Sequence, residues 1–247
     1  MRISKLMETD RLIHMNVRLK LVGGVSTVLV LALFVINLSI RKFPLTRRIG
    51  SKIEAVIGRF WGIVLVRAAG LRVNVSGGRS LNGGPFMVVA NRTSMLDIPI
   101  LLVALNGMNF RFLAAKELFQ IKIFGKAMRF SNHIPFDRSD PRAMVETYDS
   151  LNDRCFRHGQ SVAVFPEGTR GLEIIEFGER VFITAIRDSV DLLPIRIWIS
   201  DDSSYADVLI GEPISTDGMK RSDGKRLSEN VREWVVSASS PNLHAPV

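Results

Sequence analysis

The sequence predicts an α/β fold, a mostly parallel sheet flanked by helices, behind an N-terminal hydrophobic membrane-anchoring helical segment. Three observations carry that expectation. From residue 71 onward short β-rich runs alternate with helical patterns, the order that builds a sheet with helices packed on its faces. Residues 21–40 carry no charge at any of their positions. The 247 residues are 47% hydrophobic, and mean hydropathy is positive although 23% of residues are charged. Such a chain divides into a part suited to lipid and a part suited to water.

Taken in order, residues 1–20 form a basic N-terminal tail. Residues 21–40, as a helix rising about 1.5 Å per residue, span about 30 Å, the hydrocarbon thickness of a bilayer. The run is too long for a signal-peptide core, and no small-x-small cleavage site follows before Arg41, so an uncleaved membrane helix is expected. A buried helix of the globular domain is the alternative, and the basic flanks argue against it. Lysines and arginines stand on both sides, so charge gives no orientation, and a re-entrant helix stays open beside a single span. Residues 41–70 read as a basic linker and an amphipathic helix. On a helical wheel Lys52, Arg59 and Arg67 share a narrow arc, which fits a helix at the membrane interface and fits core packing equally.

The α/β domain is expected over 71–215. Its strands are read at 71–75, 86–90, 161–165, 192–199 and 206–211, and its helices at 94–105, 122–129, 141–158 and 180–187. Residues 216–247 close the chain with an amphipathic helix over 225–236 and a disordered tail. A formal charge of +9 admits two partners, nucleic acid or an anionic membrane. Nucleic acid is disfavoured, because only two tyrosines are present and the densest basic run, residues 41–48, directly follows the apolar segment. The lone Cys155 excludes an internal disulfide and a thiolate metal cluster, and it reads as a buried filler.

Three polar motifs fall after apolar runs, where sheets of this kind place ligands. In NRTSMLD, residues 91–97, Ser94 and Asp97 fit a helix capping box. HIPFDR, residues 133–138, ends a short apolar run, and FPEGTR, residues 165–170, follows a buried-looking strand as a turn would. Together with AAKELF (114–119), Phe124-Gly125 and LLPIRI (192–197), in this order, they make the chain resemble the glycerophospholipid acyltransferases. The likeness runs from about residue 71 to 213 and is strongest to bacterial 1-acylglycerol-3-phosphate acyltransferases.

The resemblance implies a membrane enzyme of phospholipid biosynthesis. It would move a fatty acyl group from acyl-CoA or acyl-ACP to lysophosphatidic acid or a related lysophospholipid. Its partners would be a phospholipid membrane, the lysophospholipid acceptor and the acyl carrier, with no nucleic acid. No metal or other cofactor is implied. The catalytic domain would lie on the cytoplasmic side of the cytoplasmic membrane. In the family's first motif a histidine five residues before an aspartate deprotonates the acceptor hydroxyl, and the aspartate orients it. That assigns Asp97 as the orienting acid. Arg138, Glu167, Gly168, Thr169 and Arg170 would hold the glycerol phosphate, a role bidentate guanidinium contacts suit. Pro194 matches a fourth motif, and Lys116 and His133 are accessory candidates.

Arg92 occupies the histidine position. Arginine titrates above about 12, so a neutral guanidine at pH 7 costs roughly 7 kcal/mol, and Arg92 cannot act as the base. It could instead stabilise an oxyanion or grip a phosphate. A second departure follows the third motif, where Phe177-Gly178-Glu179-Arg180 replaces the family's Phe-Lys-Lys-Gly step. Two such departures keep a second reading open, a catalytically degenerate member that binds phospholipid or a partner enzyme.

Overall fold

The computed structural model describes residues 47–78, 81, 83–122, 124–167, 177–200 and 204–238, with side chains except at 47–52 and 124. The expected membrane helix at 21–40, the N-terminal tail and the end of the C-terminal tail lie outside the described residues. So do Gly168, Thr169 and Arg170. Among the described residues, no helix is long and apolar enough to cross a membrane.

The chain forms two compact units. The smaller holds the described part of Met1–Asn74 together with Met95–Gly107 and Ile199–Ala206. Its main elements are helices α1 (Arg47–Ala68) and α2 (Asp97–Ala104). Small side chains let the two approach closely. A Cβ on Gly62 of α1 would stand 2.9 Å from the Pro99 carbonyl of α2 and 3.0 Å from Leu102. The end of α1 is a Schellman motif, with Leu71 N–H donating to Val66 and Gly70 N–H to Arg67, and Gly70 supplies the left-handed φ of 81°. Ile57, Leu65 and Val66 of α1 are buried, so core packing is part of what this helix does. Val56 and Phe60 remain 68% and 49% exposed on the same helix.

The capping box expected at Ser94 and Asp97 does not open α2. The helix begins at Asp97, with Leu96 in the capping position, so the box is out of register with the observed start. Asp97 is the first helical residue and is buried, where its charge suits the positive end of the helix dipole.

The larger unit holds Val75–Ser94, Met108–Trp198 and the described part of Asp207–Val247. The sheet runs in the order β1 (Arg72–Gly77), β7 (Tyr205–Ile210), β6 (Asp191–Ile199), β2 (Phe86–Ala90), β5 (Ser161–Val164), β3 (Phe110–Ala115), β4 (Ile134–Phe136). The pairs β2–β6, β2–β5, β3–β5 and β3–β4 are all parallel. Every residue of the central β2 is buried, which explains its uninterrupted apolar run. One face packs Met87, Val89, Val162, Val164 and Leu192 against four helices. These are α4 (Pro141–Asp149), α5 (Leu151–Arg154), α6 (Arg180–Arg187) and α7 (Gly224–Ser237), with α3 (Phe124–Phe130) placed before β4.

Two differences from the sequence reading have clear causes. β3 and β4 were not expected as strands: β3 interrupts its apolar run with Arg111, and β4 is only three residues long. The single helix expected over 141–158 breaks at Ser150. There Ser150 Oγ donates to the Thr147 carbonyl and Thr147 Oγ1 to Ala143, side-chain bonds that compete with the helical ladder.

Candidate active site

The motifs meet at the carboxyl ends of the parallel strands, where backbone polar groups point out of the sheet and side chains can converge. The first thing fixed there is the end of β2. Asn91, 1% exposed, donates from Nδ2 to the Ile197 carbonyl at 2.9 Å and accepts the Ile197 N–H on Oδ1 at 2.6 Å. Its amide mimics a further step of the ladder and locks the chain leaving β2 to β6.

The next residue is Arg92. Its backbone N–H donates to Glu167 Oε1 at 3.1 Å, so the acid of the third motif holds the main chain of the first. Glu167 is only 5% exposed and Arg92 is half-buried, which makes this a partly buried charge-assisted bond. The Arg92 guanidinium lies over the Phe165 ring, 5.1 Å from its centroid, a cation–π contact. Arg138 reaches the same turn from β4. Its Nη2 donates to the Phe165 carbonyl at 3.4 Å, and its guanidinium stands 5.8 Å from the Phe136 ring. Desolvation lowers the Arg138 pKa, while the fields of Tyr148 and Glu117 act to raise it.

Lys116 and Asp137 brace the Arg138 loop. Lys116 Nζ donates to Asp137 Oδ2 at 2.5 Å, and Ser139 donates to Oδ1 from both its hydroxyl and its N–H. The Lys116 bond, then those of Ser139, hold the Asp137 carboxyl down to about 2. Pro194 sits in β6 opposite Val89 and is buried; its carbonyl accepts the Gly211 N–H at 2.9 Å, so the absent proline N–H leaves the ladder on that side intact.

His133 lies elsewhere. It precedes β4, whereas Arg138 follows it, so the strand separates the two along its length. Its Nδ1 accepts the Phe112 N–H at 3.1 Å and its ring tilts against Phe112. Desolvation and then the charge of Arg111 push its pKa down to about 3, leaving a neutral imidazole whose Nδ1 is already used. Asp97 belongs to the smaller unit.

Residues not singled out from sequence also contribute. Asn91 and Asp137 are two. A third is Arg196 on β6, stacked 5.2 Å from the centroid of Trp198. Desolvation lowers its pKa and the charge of Glu167 opposes that shift. Its Nε and Nη1 are shielded from solvent and have no hydrogen-bond partner among the described residues, at a cost of about 1–3 kcal/mol for each unmet group. The available signal was a lone arginine in the otherwise apolar LLPIRIWI.

Comparison with known proteins gives one consistent result. The family model described as Acyltransferase matches residues 72–198. A chloroplastic 1-acyl-sn-glycerol-3-phosphate acyltransferase of Arabidopsis thaliana is 30% identical over 181 residues, covering 71% of this chain and 49% of that protein. A 1-acyl-sn-glycerol-3-phosphate acyltransferase of Saccharomyces cerevisiae is 26% identical over 193 residues, covering 72% and 63%. The chain thus spans about half the length of the plant relatives it matches. The crystal structure of the 1-acyl-sn-glycerophosphate (LPA) acyltransferase PlsC from Thermotoga maritima superposes with a TM-score of 0.60 at 21% identity. It covers 88% of this chain and 99% of that one, a likeness of fold.

Proposed function

Since the chain belongs to the Acyltransferase family, we propose that it transfers a fatty acyl group from a thioester to the free hydroxyl of a lysophospholipid, lysophosphatidic acid being the simplest acceptor. The donor is acyl-CoA or acyl-ACP, and the product serves phospholipid synthesis. The observation that supports this most is the bond from the Arg92 N–H to Glu167, which with the Arg138 contact to Phe165 draws all three motifs to one turn.

In this reading the acceptor oxygen attacks the thioester carbonyl and its hydroxyl proton passes to solvent water. Collapse of the tetrahedral intermediate then breaks the C–S bond and expels the thiolate, which takes up a proton to leave as the free thiol. Arg138 binds the acceptor phosphate, with Lys116 and Asp137 holding its loop. Glu167 fixes the backbone at Arg92, and Gly168, Thr169 and Arg170 complete the acceptor site. Arg92 does not take the proton. Its guanidinium, oriented on Phe165, stabilises negative charge, and Asp97 acts in the same motif. No metal or redox group is needed for this chemistry.

The protein works at the cytoplasmic face of the membrane, held by residues 21–40. The exposed Val56 and Phe60 and the charge of +9 support a place against anionic lipid. A second reading, a family member that binds phospholipid without turnover, is favoured by one observation, the cation at position 92.

Membranes containing the wild type or Arg92→His, given labelled donor and lysophosphatidic acid, separate the two. Turnover by the wild type well above empty membranes is expected. Activity in Arg92→His alone would instead establish a scaffold that has lost its chemistry.

A further inference from the structure

Arg196 has the features of a binding group. It lies in β6 one residue beyond Ile195, which pairs with Ala90, and so stands level with Asn91 at the end of β2. The Asn91 amide fixes this stretch of β6 from the next residue, Ile197, and the Trp198 ring stacks on the guanidinium from the same face of the strand. The side chain is therefore held in place, yet two of its nitrogens meet no acceptor among the described residues. Most buried arginine donors are met by carbonyls or carboxylates, and Arg196 leaves two nitrogens unmet where Arg59, Arg92 and Arg111 each leave one. The acid whose field reaches it, Glu167, already accepts the Arg92 N–H.

We propose that Arg196 is a further binding residue of the acceptor site, a third guanidinium beside Arg92 and Arg138 that takes the acceptor's phosphate, with Trp198 holding it flat. The proposal rests on the acyltransferase reading for the identity of the ligand. A planar fork of donors matches phosphate oxygens, and the half-buried side chain keeps part of that fork open to a ligand.

The test uses the full-length protein with Arg196→Leu and Arg196→Lys. Both should raise KM for lysophosphatidic acid about tenfold or more, with KM for the acyl donor unchanged. The preference for lysophosphatidic acid over uncharged monoacylglycerol should shrink by the same factor. A second arm needs no turnover: inorganic phosphate, glycerol 3-phosphate and lysophosphatidic acid should each raise the wild-type Tm and not that of Arg196→Leu. A shift with the glycerol esters but not inorganic phosphate marks the site as reading the lipid headgroup; an equal shift with all three marks a general phosphate site.

If the wild type turns over no acceptor but its phosphate-induced shift depends on Arg196, the acyltransferase reading falls and the anion site stands. Unchanged KM and an unchanged shift in a folded Arg196→Leu would overturn the proposal. Should that variant not fold, unchanged values in Arg196→Lys, which keeps the charge but not the fork, would overturn it equally.

Discussion

The turns after β2 and β4 both carry motif residues, yet they are held by opposite means. At the end of the central β2, Asn91 and Glu167 are 1% and 5% exposed and bond to backbone groups. At the end of the edge strand β4, the Lys116 and Asp137 side chains are 40% and 23% exposed and bond to each other and to Ser139. Position in the sheet explains the difference. β2 has a neighbour on either side, β6 and β5, whose ends supply partners in a buried layer. β4 has only β3, so its loop is braced by the lysine that follows β3. Buried bonds fix geometry whatever the solvent, whereas exposed ion pairs leave it open to salt.

The largest effect expected is on the buried side. Asn91→Ala removes both bonds to Ile197 and strands a buried N–H and C=O, so urea titration should show a loss of about 2–5 kcal/mol. A loss below 1 kcal/mol would mean that water replaces the amide and that the β2 turn is no better fixed than that of β4. Next comes Glu167→Ala, which leaves the Arg92 N–H unmet; kcat/KM for acyl transfer should drop about tenfold to a hundredfold, matching about 1.5–3 kcal/mol. Because the bond is to the backbone, Arg92→Ala keeps it and loses only what the side chain contributes, including the contact with Phe165.

His133, at the start of β4, sharpens the comparison through pH. Its pKa is about 3 when folded against an ordinary value of 6.5, so between these limits the unfolded chain binds the proton first. The contribution to stability is full above pH 6.5 and is lost as pH falls toward 3, by at most about 1.4 kcal/mol per pH unit. His133→Gln keeps a polar partner for the Phe112 N–H and should flatten the acid limb of a stability–pH curve. An unchanged limb would show that the imidazole is hydrated in the folded state.

The same contrast explains what could be read from sequence. β2 and β5 were legible because burial on both faces favours short apolar runs, and β6 because its run is long enough to be read through Arg196. β3 and β4 were not, since Arg111 and brevity hide them. The motif residues were legible as types at fixed spacing, but what holds them was not. Asn91 acts on a residue 106 positions away, and Asp137 on a lysine 21 away. Arg196 took meaning only once β6 was seen beside β2. Only the pairing of strands reveals such contacts.

The smallest effect belongs to the exposed brace. Lys116→Met and Asp137→Asn should leave Tm unchanged within error, because an exposed pair contributes little to folding. Both should raise KM for an anionic acceptor at low ionic strength, as the Arg138 loop loses its support, and the gap to wild type should close as salt is added. Acid cannot produce the same uncoupling at any working pH. The Asp137 carboxyl is depressed to about 2, so the pairing is in full force above its ordinary value near 3.8 and is lost only as pH falls through about 2. A KM gap that persists at high salt would mean that Lys116 touches the acceptor itself, and the β4 turn would then be part of the binding surface instead of its scaffold.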